Sequence, residues 1–369
     1  TAAPKPGTAC KKAGQTSTSG GIKYTCIKSG KKLVWNKGVV LKKAEPVPVP
    51  SPETTVEVKS LLSNDPRISA LSALSSLDIC KTVDKTPDYY QNAVLHKNGF
   101  PRPVKSVSGK SSAKVLVIPL SFTDLPFRKE KYQRVQLFTS DLDTLNETIP
   151  LVKESFKKLS AGRFEITIDV LPEKDWWIIN SDNPLIGGWG VDNFGKIVEI
   201  IDKHKKDFNF DDYDTYAFIT GFGVQGQAGL GSAQAQFSMT HKSAKLGSFN
   251  AVLMAGGFNN PTLWVHELGH SLYGFEDLYL FNEAKTQTSG TLGIKDMNVP
   301  NKWDLMADSS RGTFLEWNRY MMGWIYDSEV RCLSDQSTSI HYLTDIDTTT
   351  DPKLLTINLA PGVTLAAEV

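Results

Sequence analysis

The chain has 369 residues, 40% of them hydrophobic, and this length and composition predict one large domain with a small appendage. Lysine and arginine number 41 against 40 acidic residues, so the net charge of +1 implies no particular class of partner. No run approaches about eighteen consecutive apolar residues, so we predict no transmembrane segment.

Residues 1–43 form a distinct basic module with ten lysines and no acidic residue. A segment this short cannot bury enough apolar surface to fold unaided, so we predict a stabilising Cys10–Cys26 disulfide. That bond favours an oxidising compartment. The lysines have two interpretations, a face that binds an anionic cell-envelope polymer or a solvated basic appendage. Because the predicted disulfide indicates secretion, we expect no nucleic-acid partner. The sequence opens on Thr1 instead of methionine, which suggests that a leader has already been removed.

Residues 44–52 alternate proline with small residues and predict an extended linker at a domain boundary. Residues 53–112 carry a weak helical pattern followed by Cys80, typical of a propeptide-like segment or a strap across the next domain. Cys80 has two interpretations. It pairs with Cys332 and completes an even set of four cysteines, or its thiolate blocks the metal site predicted further along the chain. We favour the disulfide.

Residues 113–369 predict the large domain, with strand patterns alternating with helical patterns. We expect strands over 114–120, 164–170 and 216–220, and helical spacing over 131–159 and 194–206. Such alternation predicts an α+β, mixed α/β unit with a twisted mixed sheet and a helix packed on it.

The stretch Gly221 to Gly226 matches G-x-G-x-x-G, the fingerprint of dinucleotide-binding folds. The surrounding sequence does not fit that fold, because no helical pattern follows and no acidic residue lies between positions 215 and 265. We predict a surface loop that continues to Gln236, either at the edge of a substrate groove or simply flexible.

The stretch from Asn260 to Gly274 carries helix start and stop signals around an H-E-x-x-H motif. Asn260 is a good N-cap, a proline follows it, and Gly274 can leave the helix in a left-handed conformation. Residues four apart lie one above the other on a helix, so His266 and His270 can present both imidazoles to one ion. This is the motif of zinc peptidases, with Glu267 as the general base. An accidental match would be an amphipathic helix with a partly buried histidine.

A catalytic zinc ion takes three protein ligands, so the two histidines need a third. In short-spacer zinc helices the chain turns at a glycine and returns a ligand three residues later, which indicates Asp277. Glu276 is the main rival, because it lies ten residues after the first histidine. Glu316, on a later helix, is a third candidate. The competing interpretation of either acidic neighbour is a turn cap.

Downstream of the zinc helix we predict a long loop over 281–301, after which the chain returns beneath the metal. Met306 then has two interpretations, an apolar floor under the metal or an ordinary core residue. Tyr279, Tyr320 and His241 are unranked candidates for stabilising the oxyanion. The pattern of residues 314–324 predicts a short helix. The sequence closes with two strand-like runs, the last of which ends abruptly.

Several segments resemble the immune inhibitor A family of secreted bacterial metallopeptidases. The family's H-E-x-G-H and G-L-P-D-x-Y blocks correspond to His266–His270 and Gly274–Tyr279, with one extra residue before Gly274 and without the family's proline. Four further blocks are similar: 115–124, 156–164, 303–306 and 317–324. The resemblance covers about residues 113–369.

The resemblance implies a zincin-like domain acting on protein or peptide substrates, secreted or associated with the cell surface. Zn2+ is the expected cofactor, and Ca2+ as a structural ion is left open. The alternative function is a catalytically silent surface-binding protein that keeps the fold. Such a silent protein would be expected to lack Glu267 or one of the two motif histidines, and this sequence keeps all three residues.

Overall fold

The computed structural model describes residues 5–19, 22–30, 32–40, 75–83, 99–134, 137–180, 193–203, 212–221, 232–236, 249–278, 303–307, 312–334, 339–348 and 351–369. The chain divides into two compact units, Thr1–Ile68 and Ser69–Val369. The predicted linker 44–52 and the predicted loop 281–301 lie outside the described residues, and the finer domain boundaries stay predictions. Among the described residues, no helix combines the length and the apolar character needed to cross a membrane.

The first unit contains, in its described part, a small antiparallel sheet. Its strands are β1 Thr16–Ser19, β2 Ile22–Ser29, β3 Lys32–Trp35 and β4 Val39–Val40. β2 pairs with each of the other three. The predicted Cys10–Cys26 disulfide is present, and the buried Cys26 lies on β2, so the bond ties the preceding loop to the central strand.

The described residues of the second unit form a six-stranded sheet. Its strands are β5 Ser112–Phe122, β8 Glu165–Val170, β9 Trp177–Ile179, β10 Thr215–Thr220, β11 Ser232–Gln236 and β12 Ala251–Ala255. They lie in the order β11-β12-β10-β5-β8, and β9 also pairs with β5. All pairings are parallel except that of β11 with β12. Every residue of β10 is buried, as expected for a parallel strand covered on both faces. The sheet confirms the prediction of a mixed α/β unit.

The prediction of helical spacing throughout 131–159 was partly wrong. The first part is a two-stranded hairpin, β6 Tyr132–Arg134 and β7 Leu137–Thr139, and only then does helix α1, Asp141–Leu159, begin. The boundary has a local cause, because the Ser140 side chain accepts a 3.0 Å hydrogen bond from the backbone N–H of Asp143 and caps the helix. A second helix, α2, covers Asn193–Lys203, close to the predicted 194–206.

The loop predicted from Gly221 to Gln236 was also partly wrong, since its last five residues form β11. The Ser-Ala-Gln-Ala-Gln sequence lacks bulky apolar residues, but Ala233 and Ala235 alternate and pack against the core. Backbone pairing with the apolar β12 makes this segment a strand. Residues 222–231 lie outside the described part of the chain. Helix α3, Pro261–Tyr273, contacts both β11 and α1.

The chain ends in a three-stranded sheet that is joined covalently to the segment around residue 80. After helix α4, Glu316–Met322, come β13 Val330–Leu333, β14 Leu354–Ala360 and β15 Val363–Ala367. Cys80 and Cys332 are both buried and form a disulfide. The pairing agrees with the interpretation that we favoured and leaves Cys80 no thiolate with which to block a metal.

Candidate metal centre

Helix α3 begins and ends where the local signals predict. The Asn260 side chain accepts hydrogen bonds from the backbone N–H groups of Thr262 and Leu263, at 3.1 and 3.4 Å. At the other end Gly274 adopts φ 70°, the left-handed conformation that favours glycine, and its N–H donates to His270 O at 2.8 Å. Within the helix bounded by these caps, the four-residue spacing of His266 and His270 places both side chains on one face.

The helix is buried over most of its length, from Trp264 to Tyr273. His266, Glu267 and His270 share this burial, with exposed fractions of 5%, 5% and 6%. Polar groups removed from water are unfavourable unless they find partners. The surroundings of these three side chains must therefore supply hydrogen bonds or a bound ion.

His266, His270 and Asp277 converge on one point. The Nε2 atoms of the two histidines are 3.2 Å apart, and Asp277 Oδ1 lies 3.2 Å from His266 Nε2 and 3.1 Å from His270 Nε2. Ligand atoms about 2.0–2.2 Å from one tetrahedral ion lie roughly 3.3–3.6 Å from each other. Among the described residues, this is the one group of three such side chains with the geometry to hold a metal.

The two rings are oriented by backbone carbonyls. His266 Nδ1 lies 2.8 Å from Leu305 O, and His270 Nδ1 lies 2.6 Å from Phe275 O. A carbonyl oxygen only accepts, so each Nδ1 must carry a proton and donate it. In a neutral ring, each Nε2 is then left with a lone pair. Three acceptor atoms face each other, an arrangement that a cation satisfies.

The charges of the site reinforce this arrangement. Burial opposes a positive charge on His270, but the Asp277 carboxylate raises the pKa of His270 above its ordinary value. Burial likewise opposes the charge on Asp277, yet His270 and His266 together lower the pKa of Asp277 well below its usual range. Both directions describe a carboxylate that stays ionised and favours positive charge between the ring nitrogens.

Glu267 has a different environment from Asp277, although both are carboxylic acids. Burial raises the pKa of Glu267 to about 7, with His266 opposing the rise and Asp277 reinforcing it. A carboxyl group with a pKa near neutral pH can both accept and release a proton there. The site therefore holds one carboxylate suited to a cation and one suited to proton transfer.

The segment 303–307 returns beneath α3. A methyl group placed on Gly269 would lie 2.6 Å from Met306 Sδ, so the helix approaches Met306 as closely as a glycine permits. The fully buried Asp304 holds the turn, because its carboxylate accepts from Met306 N at 2.7 Å and from Leu315 N at 2.6 Å. This places Met306 in the hydrophobic core against Gly269, and Leu305 O against His266.

The rival ligands lie elsewhere or are engaged. Glu276 is half-buried and is not a member of the converging group. Glu316 is hydrogen-bonded to Arg319 on its own helix. Of the oxyanion candidates, Tyr320 donates its hydroxyl proton to Asp327 at 2.8 Å, whereas Tyr279 and His241 lie outside the described residues.

The sequence interpretation missed the two carbonyls that orient the histidines. Leu305 belongs to the Trp-Asp-Leu-Met segment that we noted for its methionine, and Phe275 follows the helix-ending glycine. Every residue has a backbone carbonyl, so the residue type does not show which carbonyl accepts from a histidine. Only the position of Leu305 and Phe275 near the motif or its family blocks indicated this role.

Comparison with protein-family profiles gives no match, and no curated protein matches the chain. Among solved structures, metalloproteinase-II from Bacteroides fragilis is similar at 15% sequence identity, over 73% of this chain and 70% of that chain, with a TM-score of 0.25. A similarity at this TM-score transfers neither fold nor activity. The resemblance to immune inhibitor A peptidases therefore rests on the sequence motifs alone.

Proposed function

We propose that this protein is a secreted zinc-dependent endopeptidase with Glu267 as its general base. The observation that carries the proposal is the convergence of His266 Nε2, His270 Nε2 and Asp277 Oδ1, with both Nδ1 protons committed to carbonyl oxygens. Two imidazoles and one carboxylate match the donor set of catalytic zinc sites, in which a fourth position is left for water or substrate. Asp277, ahead of Glu276 and Glu316, is the third ligand in this proposal.

When bound at such a site, zinc lowers the pKa of water toward neutrality and polarises a substrate carbonyl. The remaining chemistry belongs to the chain. Leu305 O and Phe275 O hold the two rings in the tautomer that directs Nε2 inward. Asp277 contributes the negative charge.

Glu267 would move the proton. Its carboxylate accepts a proton from the attacking water and then donates it to the nitrogen of the departing amine, so that the base is regenerated within one turnover. Glu267 is buried and directly follows His266 in the chain, so both transfers would take place within the site. The buried surroundings also limit competing exchange with bulk water.

We place the protein outside the cytoplasm or at the cell surface. Two disulfides support this location, since such bonds persist mainly in oxidising compartments. In the same proposal, residues 1–43 bind an anionic cell-envelope polymer through their lysines, and residues 44–52 act as a linker. Residues 53–112 form a strap or propeptide remnant. Residues 113–369 form the zincin-like catalytic domain. A structural Ca2+ ion remains a secondary proposal.

Hydrolysis of casein by the purified protein tests the proposal. Removal of metal with 1,10-phenanthroline and dialysis is expected to abolish cleavage, and stoichiometric Zn2+ is expected to restore it, because the proposed reaction depends on metal-bound water. The non-chelating isomer 1,7-phenanthroline is the matched control and should leave cleavage unchanged. A protein that binds zinc without cleaving casein or gelatin would favour the silent binding protein, and cleavage that survives complete metal removal would reject the zinc mechanism.

A further inference from the structure

The C-terminal end of helix α3 is completed by a segment more than 150 residues earlier in the chain. The last carbonyl groups of a helix have no partners within it. Here Leu272 O accepts from Val107 N at 2.9 Å, and Tyr273 O accepts from Arg102 Nη2 at 2.5 Å. A positive charge at this end also interacts favourably with the helix dipole. The segment that contains Arg102 and Val107 therefore holds the last turn of the metal-binding helix.

Arg102 makes a second contact at the same place. Its guanidinium carbon lies 4.9 Å from the centre of the Phe275 ring, within the range of a cation–π interaction. Nη1 donates to Gly99 O at 2.9 Å, which fixes the guanidinium on its own segment. Phe275 is fully buried and stacks on Tyr273, with ring centres 5.8 Å apart and planes 18° apart. The side chain of Arg102 thus contacts Tyr273 and Phe275, the two neighbours of Gly274.

Phe275, one of the two residues that Arg102 contacts, orients a proposed metal ligand. Phe275 O accepts the Nδ1 proton of His270 at 2.6 Å, so a displacement of the Phe275 backbone would rotate or release the His270 ring. We propose that Arg102 is a positioning residue that fixes His270 for metal binding through Tyr273 O and Phe275. This inference rests on the proposed function, because it takes His270 as a metal ligand.

Lysine is not an equivalent group at position 102. The planar guanidinium offers several fixed donors and a flat face, whereas an ammonium is a single point on a flexible stem. Lysine can supply charge to the helix end, but it cannot donate to Gly99 O and Tyr273 O while lying flat on the Phe275 ring. Arg102→Lys is therefore an intermediate variant.

The test measures metal binding by the full chain, independently of activity. Dissociation constants for Zn2+ are obtained by competition with a chromophoric chelator, and the visible absorption of the Co2+-loaded protein reports ligand geometry. Arg102→Met is expected to weaken Zn2+ binding about 10–100-fold and to shift the Co2+ bands, and Arg102→Lys should show a smaller change in both. The control is Lys110→Met, in the same segment, which breaks an exposed 3.0 Å ion pair with Asp214 and should change neither.

Two negative results are distinguishable. If the wild-type protein binds Zn2+ tightly and both Arg102 variants match its affinity and Co2+ spectrum, Arg102 has no positioning role, while the proposed function stands. If the wild-type protein binds neither metal, the proposed function fails and this inference fails with it. Should Arg102→Met not fold, Arg102→Lys decides, because wild-type affinity and spectrum in that variant would contradict the need for the guanidinium.

Discussion

Replacing Glu267 with glutamine is expected to lower kcat for peptide hydrolysis about 10²–10⁴-fold, the range typical of removing a general base. Glutamine has nearly the same shape as glutamate but cannot accept a proton from water. Glu267 is not among the residues that converge on the metal position, so the variant should bind zinc as the wild type does. Rates on an internally quenched fluorogenic peptide, together with the zinc content of each protein, measure both halves of this expectation.

The control for this substitution is Glu154→Gln on the exposed face of helix α1, which changes the same functional group far along the chain from the motif. Its activity should equal that of the wild type. Wild-type turnover in Glu267→Gln would show that another group takes the proton. Loss of zinc from Glu267→Gln would show instead that this carboxylate helps to hold the metal.

The second large effect is expected at the third ligand. Asp277→Ala should weaken zinc binding by more than about 100-fold, beyond the 10–100-fold loss usual for residues that only support a ligand. The reason is direct, since Asp277 Oδ1 lies within 3.2 Å of both inward-facing histidine nitrogens and carries the negative charge of the group. Competition titration with a chromophoric chelator measures the change.

Glu276→Ala is the matched variant, because it removes a carboxylate one residue away that lies outside the converging group. Zinc affinity close to that of the wild type is expected for Glu276→Ala, and likewise for Glu316→Gln, whose side chain is engaged with Arg319. A large loss in Glu276→Ala together with tight binding in Asp277→Ala would exchange the roles of the two acids.

The helix that carries the motif could be predicted to the residue, because its boundaries depend on local chemistry. The Asn260 side-chain cap and the left-handed Gly274 are properties of single residues acting on neighbouring backbone. The position of Asp277 beside the histidines follows from the same turn. The Cys80–Cys332 pairing was accessible because an even number of cysteines left one natural partner.

Features that depend on distant parts of the chain were not accessible in this way. The contact of Arg102 with Tyr273 O joins residues 171 positions apart, and nothing in either local sequence marks it. The strand over 232–236 forms because a neighbouring strand supplies backbone partners, although its own residues include no bulky apolar side chain. The hairpin that precedes α1 was obscured because its apolar residues also fit helical spacing.

The most direct test of the central claim is an anomalous-scattering map of crystals of the purified protein, recorded on both sides of the zinc absorption edge. We expect one strong peak that appears only above the edge, about 2.0–2.2 Å from His266 Nε2, His270 Nε2 and an Asp277 oxygen. Crystals grown with zinc that show no such peak, or coordinates in which the two Nε2 atoms point away from each other, would contradict the assignment of this protein as a zinc peptidase.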